Sequence, residues 1–251
     1  MTQTLRAHWA SGAPCHGAWS TIDDPVPVEL LGRAGYDFVT IDLQHGYASP
    51  HSLPALLRAL GDTPARPCVR VAWNSPELIM RALDLGAEGV VVPMVSTAAE
   101  AAAAASACRY APRGTRSWGP ILATASHRPI EPAAGDAAAV CIVMIETAAG
   151  LANVEAIAAT PGVDALYIGP NDLSLSLGLG RVGYRDSPEL LGAMLQIIAA
   201  GGAAGVPVGV DCSGNADARF WQEQGAAFTM SASDALLLRE IADARGAALP
   251  R

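Results

Sequence analysis

Eight short apolar runs punctuate the chain, and the residues between them carry a helical rhythm. The runs are 16–20 ("HGAWS"), 37–43 ("DFVTIDL"), 67–71 ("PCVRV"), 89–95 ("GVVVPMV"), 141–147 ("CIVMIET"), 164–169 ("DALYIG"), 206–211 ("VPVGVD") and 227–232 ("AFTMSA"). Most are apolar without strict alternation, as parallel strands covered on both faces should be. The segments between them open on helix start signals. "DPVPVELLGRAGY" begins with an acid and a proline, and "NSPELIMRALDLGAEG" offers Asn74 or Ser75 as N-cap with Pro76 in the first turn. "STAAEAAAAASACRY" is almost pure helix former. "TAAGLANVEAIAAT", "SPELLGAMLQIIAAGGAAG" and "SDALLLREIADARGAAL" repeat the theme. Strand and helix alternate about eight times with no break in composition, which predicts one (β/α)8 barrel over residues 1–251. The longest irregular stretch, roughly 110–136, is expected to form an elaborated loop after the fourth strand.

Composition narrows the picture. Half of the 251 residues are hydrophobic and 16% are charged, enough for a large core. The net charge of -8 argues against a nucleic-acid surface or a polybasic membrane patch. No apolar run approaches the ~18 residues of a membrane helix, and the first residues lack a signal-peptide core. Cys15, Cys68, Cys108, Cys141 and Cys212 are scattered and form no C-x-x-C pair, which fits a reducing compartment. A cytoplasmic protein is expected. All sixteen basic residues are arginine. Without lysine the chain can form no Schiff base with a carbonyl substrate and cannot hold pyridoxal phosphate covalently.

In such a barrel the chemistry gathers at the C-terminal ends of the strands. "FVTIDLQHG" ends in Asp42, Gln44 and His45; "CIVMIET" ends in Glu146; "DALYIGPND" runs through Gly169, Pro170 and Asn171 to Asp172. Glu146 and Asp172, from successive strands, suit a hard divalent ion such as Mg²⁺ or Mn²⁺. They would also serve as the acid and base of a glycosidase. Asn171 and Asp172 could offer backbone N–H groups to an anion. His45 is a base candidate that Asp42, three residues earlier, could orient; it could equally be structural. Arg70 inside an apolar strand must be paired or face a cavity, and its planar fork suits a carboxylate or an enolate oxygen. Trp19 is a pocket wall or ordinary core. Asp84 reads first as a surface acid paired with Arg81, and Arg109, Arg113 and Arg116 as loop arginines meeting solvent or a partner.

Taken together, "IDLQHG", "CVRVAWNSPELIMRALDLGAEGVVVPMV", "RYAPRGTRSWGP", "VMIET" and "YIGPNDLSLSLG" resemble the HpcH/HpaI aldolase family, class II pyruvate aldolases dependent on a divalent metal. The resemblance runs from Trp19 to the last helix. It implies a (β/α)8 barrel whose final helix is exchanged with a neighbour in a homohexamer built from dimers. It implies Glu146 and Asp172 as ligands of Mg²⁺, Mn²⁺ or Co²⁺, His45 and Asp42 as base and orienting acid, and Arg70 as the group that steadies a pyruvate enolate. Asp84 matches an acid that reaches the site across a subunit interface. Gly169 to Asp172 match the turn that binds the pyruvate carboxylate, with Trp19 and Gln44 beside the substrate. The activity implied is reversible cleavage of a 4-hydroxy-2-oxo acid to pyruvate, or a close 2-oxo acid such as hydroxypyruvate, and an aldehyde. The chemical neighbour of that reaction is an acyl-CoA ester lyase of the citramalyl- or malyl-CoA type.

Overall fold

The computed structural model describes residues 3–120 and 130–249. Eight parallel strands close into a barrel in sequence order: β1 (His16–Ser20), β2 (Phe38–Asp42), β3 (Arg66–Arg70), β4 (Gly89–Val92), β5 (Val140–Ile145), β6 (Ala165–Ile168), β7 (Val208–Asp211) and β8 (Phe228–Ser233). Around it, in chain order, lie α1 (Leu5–Ala10), α2 (Pro25–Arg33), α3 (Leu53–Gly61), α4 (Pro76–Asp84), α5 (Ala98–Ala107) and α6 (Pro132–Ala138). They are followed by α7 (Ala148–Ala152), α8 (Val154–Ala158), α9 (Pro170–Ser176), α10 (Pro188–Ala204), α11 (Asn215–Glu223) and α12 (Asp234–Ala247). The expected fold is the one found.

The helix starts work as their residues suggest. Asp24 accepts the Val26 N–H at 2.8 Å, with Pro25 in the first turn of α2. Ser75 is the N-cap of α4, and Thr97 with Glu100 closes a capping box on α5. The long segment expected after the fourth strand follows α5, not β4 itself. Its described ends therefore sit with the strand N-termini: the Tyr110 N–H donates to Asp136, shortly ahead of β5, at 2.8 Å. Residues 121–129 of that segment, with His127, lie outside the described residues.

Strand side chains alternate between two cores. Outward residues such as Val39, Ile41, Val69 and Val143 pack under the helices. Inward residues such as Phe38, Cys68, Ile142, Tyr167 and Phe228 fill the barrel. The interior is tight enough to demand glycine on β7: a Cβ at Gly209 would lie 2.1 Å from the Phe228 ring. Carried to the strand ends, the same parity turns Trp19, Asp42, Arg70, Glu146 and Asp211 inward. At the opposite end α1 plugs the barrel. Leu5 joins the interior cluster and its N–H donates to Glu88, while Trp9 stacks on Phe228 at 4.9 Å.

The last helix is held at one end only. Asp234 is buried and accepts from the backbone of Thr21 and Ile22 and from the Thr21 hydroxyl at 2.7 Å. Beyond it, Leu237, Leu238 and Ile241 of α12 are exposed, as are Val26 and Leu30 of α2. Among the described residues no helix is long and apolar enough to cross a membrane.

Candidate active site

A cavity of about 240 Å³ opens at the C-terminal ends of the strands. Asp42, at the end of β2, faces Arg70, at the end of β3, because the two are direct partners in the parallel register. Arg70 donates twice, Nε to Oδ1 at 2.9 Å and Nη2 to Oδ2 at 2.7 Å. This is the two-bond fork that only arginine makes. The guanidinium carbon also lies 4.3 Å from the centre of the Trp19 ring. Burial pushes the Asp42 carboxyl up, but the Arg70 guanidinium and the Gln44 and His45 amides outweigh it and hold the group below the usual carboxylate range. Arg70 is likewise pulled down by burial and raised on balance by Asp42. The Nη1 of Arg70 takes no part in the fork.

This pairing corrects one expectation. Asp42 does not orient the imidazole of His45. Its Oδ1 accepts the backbone N–H of Gln44 at 3.0 Å and of His45 at 3.2 Å, so it fixes the turn that carries His45 while both its oxygens are spent on Arg70. The His45 side chain lines the cavity. Gln44 does not, and its Oε1 is buried without a hydrogen-bond partner among the described residues.

Glu146 extends the inward parity of β5 by one residue and is 2% exposed. Its Oε1 accepts the Met94 N–H at 2.6 Å. Met94 is the one non-glycine residue with positive φ among those described, at 60°, a conformation that aims this N–H at the carboxylate. The Oε2 side faces Gly169, where a Cβ would sit 2.6 Å away. Gly169 therefore keeps open the space beside that oxygen. Asp172 reaches the same cavity from the first turn of α9. Burial first, and the charge of Asp172 among lesser causes, raise the Glu146 carboxyl, while the Met94 amide opposes the shift. In α9 the helical bonds begin with the Leu173 N–H, so the Asn171 and Asp172 N–H groups are not taken by the helix.

Asp211, unremarked in the sequence reading, completes the set. It accepts from Trp19 Nε1 at 2.8 Å and from the Tyr167 hydroxyl at 3.0 Å. Burial raises its carboxyl above the ordinary value despite those two bonds. Its signal was available: an acid closing an apolar strand, two residues past the inward Gly209. The cavity thus holds four carboxylates, Asp42, Glu146, Asp172 and Asp211, against one guanidinium. Glu146 and Asp172 offer carboxylate oxygens, the ligands a hard divalent cation takes.

Asp84 stands apart. It closes α4 and pairs at 2.7 Å with Arg116, not with Arg81, and it does not line this chain's cavity. Arg116 is itself buried and lies over the Tyr110 ring at 4.5 Å, and Arg109 is buried against Asp164. Two of the expected loop arginines are therefore internal struts, since a buried guanidinium must find an acid.

Eight parallel strands with acids, an arginine and an imidazole gathered at their C-termini define a barrel enzyme acting on a small molecule. The chain belongs to the HpcH/HpaI aldolase/citrate lyase family, carbon–carbon lyases, whose model matches residues 16–240. It is 36% identical over 246 residues to the hydroxypyruvate/pyruvate aldolase of Rhizorhabdus wittichii, covering 96% of this chain and 98% of that enzyme. It is 38% identical over 225 residues to a 2-dehydro-3,6-dideoxy-6-sulfogluconate aldolase of Pseudomonas putida, covering 88% and 87%. The crystal structure of a family member from Burkholderia cenocepacia superposes with a TM-score of 0.88 at 34% identity, covering 96% of this chain and 97% of that one.

Proposed function

We propose that the protein is a divalent-metal-dependent aldolase that reversibly cleaves 4-hydroxy-2-oxo acids to an aldehyde and pyruvate, or a close 2-oxo acid such as hydroxypyruvate. The observation that carries this reading is the four-to-one excess of carboxylates over guanidinium in a small cavity. An anionic 2-oxo acid is repelled from such a cavity unless a cation enters with it. Glu146, through its open Oε2 side, and Asp172 would hold that ion. When bound, the ion supplies Lewis-acid polarisation of the 2-oxo group and charge for the developing enolate. Glu146 is turned by Met94 and left room by Gly169, so the carboxylate needs no rearrangement.

The chain's own groups supply the rest. Arg70 is locked by Asp42 and Trp19, which leaves Nη1 to donate to the enolate oxygen from a fixed position. The Asn171 and Asp172 amides bind the substrate carboxylate. His45, directly or through a water, takes the 4-hydroxyl proton as the C3–C4 bond breaks and returns it in the reverse direction. Asp211 acts on Trp19 and Tyr167, setting the wall against which the 2-oxo acid lies. No lysine is needed, and none is present. The aldolases among its relatives favour cleavage of a 2-oxo acid over the acyl-CoA lyase reading.

The direct test is solvent exchange of the pyruvate methyl protons. Chelator-stripped protein is incubated with pyruvate in D₂O, and the methyl signal is followed by proton NMR with and without Mg²⁺ or Mn²⁺, the latter removed before acquisition. Exchange that requires the ion is expected. Exchange that persists in full without any ion, or fails with every ion, would remove the proposal.

The exposed leucines of α12 and the exposed Val26 and Leu30 support a homo-oligomer; the family resemblance makes it a trimer of dimers with the last helix exchanged, in which Asp84 would serve a neighbour's cavity. Light scattering of the intact protein is expected to give six times the 25.7 kDa chain mass; a monomer would end that reading. The five scattered cysteines, with no C-x-x-C pair, support a cytoplasmic setting.

A further inference from the structure

Far from the cavity, at the barrel end plugged by α1, three side chains of different chemistry converge. A ring nitrogen of His8, the Cys15 sulfur and an Asp37 carboxylate oxygen all lie within 4.8 Å of one another. The three come from separate elements. His8 lies on α1, Cys15 immediately precedes β1 and Asp37 immediately precedes β2.

The hydrogen bonds around them decide which atoms face inward. His8 Nε2 lies 3.0 Å from the Pro14 carbonyl oxygen. A carbonyl only accepts, so Nε2 carries a proton and donates it. In the neutral ring Nδ1 is then a bare lone pair. It points at Asp37 Oδ1, 3.7 Å away, too far for a hydrogen bond. The other carboxylate oxygen, Oδ2, is already taken by the His16 N–H at 2.8 Å. An imidazole nitrogen, a carboxylate oxygen and a thiol sulfur therefore meet, with the Trp9 indole beside the sulfur. A metal-bound histidine that donates its second nitrogen to a backbone carbonyl has this arrangement.

The backbone holds the group in place. The Asp37 N–H donates to the His16 carbonyl at 2.8 Å, the Asp37 carbonyl accepts from Arg66 at 2.8 Å, and the Cys15 carbonyl accepts from Thr229 at 3.0 Å. Cys15 is fully buried, whereas the side chains of His8 and Asp37 remain 17% and 31% exposed and open a path from solvent.

We propose that His8 Nδ1, Cys15 Sγ and Asp37 Oδ1 form a second, structural metal site of the zinc class at the base of the barrel. Nitrogen, sulfur and oxygen donors at about 2.0–2.3 Å from Zn²⁺ imply ligand-to-ligand edges of about 3.3–3.7 Å in a tetrahedron. The His8–Asp37 edge, at 3.7 Å, already has that length, and the remaining edges, each within 4.8 Å, need to close by roughly 1.5 Å at most. On binding, the thiol loses one proton to solvent and a Zn–S bond forms. The thiolate and carboxylate together neutralise the dication, so no net charge is buried. Water completes the fourth position. The two ends of the barrel then differ in softness. The mouth is lined by four carboxylates and no cysteine and suits Mg²⁺ or Mn²⁺; the base includes a thiol and selects zinc, cobalt or nickel. An ion there ties the α1 plug to the starts of β1 and β2.

Cobalt titration with a spectroscopic readout tests this without reference to activity. Chelator-stripped, thiol-reduced protein is kept in excess Mg²⁺ and titrated with Co²⁺. A cobalt–thiolate bond gives a charge-transfer band in the near ultraviolet that oxygen ligands at the mouth cannot produce. One equivalent of cobalt per chain is expected to develop the band, and Zn²⁺ to bleach it. Cys15→Ser is expected to abolish it. His8→Ala, which changes a partly exposed position and keeps the test available if the cysteine variant fails to fold, is expected to weaken cobalt binding by at least about 100-fold. Absence of the band at saturating cobalt, a band that survives Cys15→Ser, or unchanged affinity in His8→Ala would each overturn the proposal.

Discussion

Arg70→Ala is expected to slow metal-dependent exchange of the pyruvate methyl protons by about 100- to 1,000-fold, the cost of losing one positioned donor to a developing oxyanion. The size follows from how completely the side chain is fixed. Two bonds to Asp42 and the Trp19 face leave it no freedom to lose when the enolate forms. The same substitution leaves the Asp42 carboxylate buried beside its Gln44 and His45 amides without its cation, a loss of about 3–5 kcal/mol of stability for a buried pair broken on one side. Rate and stability must therefore be read apart, by measuring turnover well below the unfolding temperature. Arg70→Lys separates them further. It keeps the charge, and so recovers stability, but cannot reproduce the fork and is expected to recover little rate. Near-normal exchange by folded Arg70→Ala would end the role proposed for it. The pair also sets an acid limit. The Asp42 carboxyl is held below its ordinary value in the folded chain. Its contribution is fully present above the unfolded value of about 3.9 and is lost as pH falls through the lower folded one. Acid unfolding of Arg70→Ala is expected at higher pH than that of the parent.

Glu146→Gln is expected to abolish measurable turnover, by about 1,000-fold or more, the several kcal/mol that a bound ion supplies. The amide has the shape of the carboxylate, and its oxygen can still accept the Met94 N–H, so the barrel should fold unchanged. What is lost is the negative charge facing the space that Gly169 leaves open. The measurement pairs exchange kinetics with Mn²⁺ binding followed by electron paramagnetic resonance. Loss of tight Mn²⁺ binding together with loss of exchange is the expected result. Tight binding retained in the variant would move the metal elsewhere in the cavity.

Much of this molecule is written locally. Proline after an acid or a serine starts α2, α4 and α10, and runs of branched apolar residues make β4 and β5, because these preferences depend only on near neighbours. The candidate site was legible to the same depth. A polar residue closing an apolar strand is unusual enough to mark Asp42, Arg70 and Glu146, and barrel closure brings such strand ends together. Partner choice was not legible. Asp42 lies three residues from His45 in sequence but is the register partner of Arg70 across β2 and β3, and the register prevailed. Asp84 passed over nearby Arg81 for Arg116, and Arg109 found Asp164. Asp211 gained its place from Trp19 and Tyr167, contributed by β1 and β6. By itself the sequence determined which segments are strands and that Asp42, Arg70 and Glu146 close them facing the mouth, since both follow from local period and parity. Only the tertiary structure decided which charge meets which, because a buried ion is satisfied by whatever stands across from it in space.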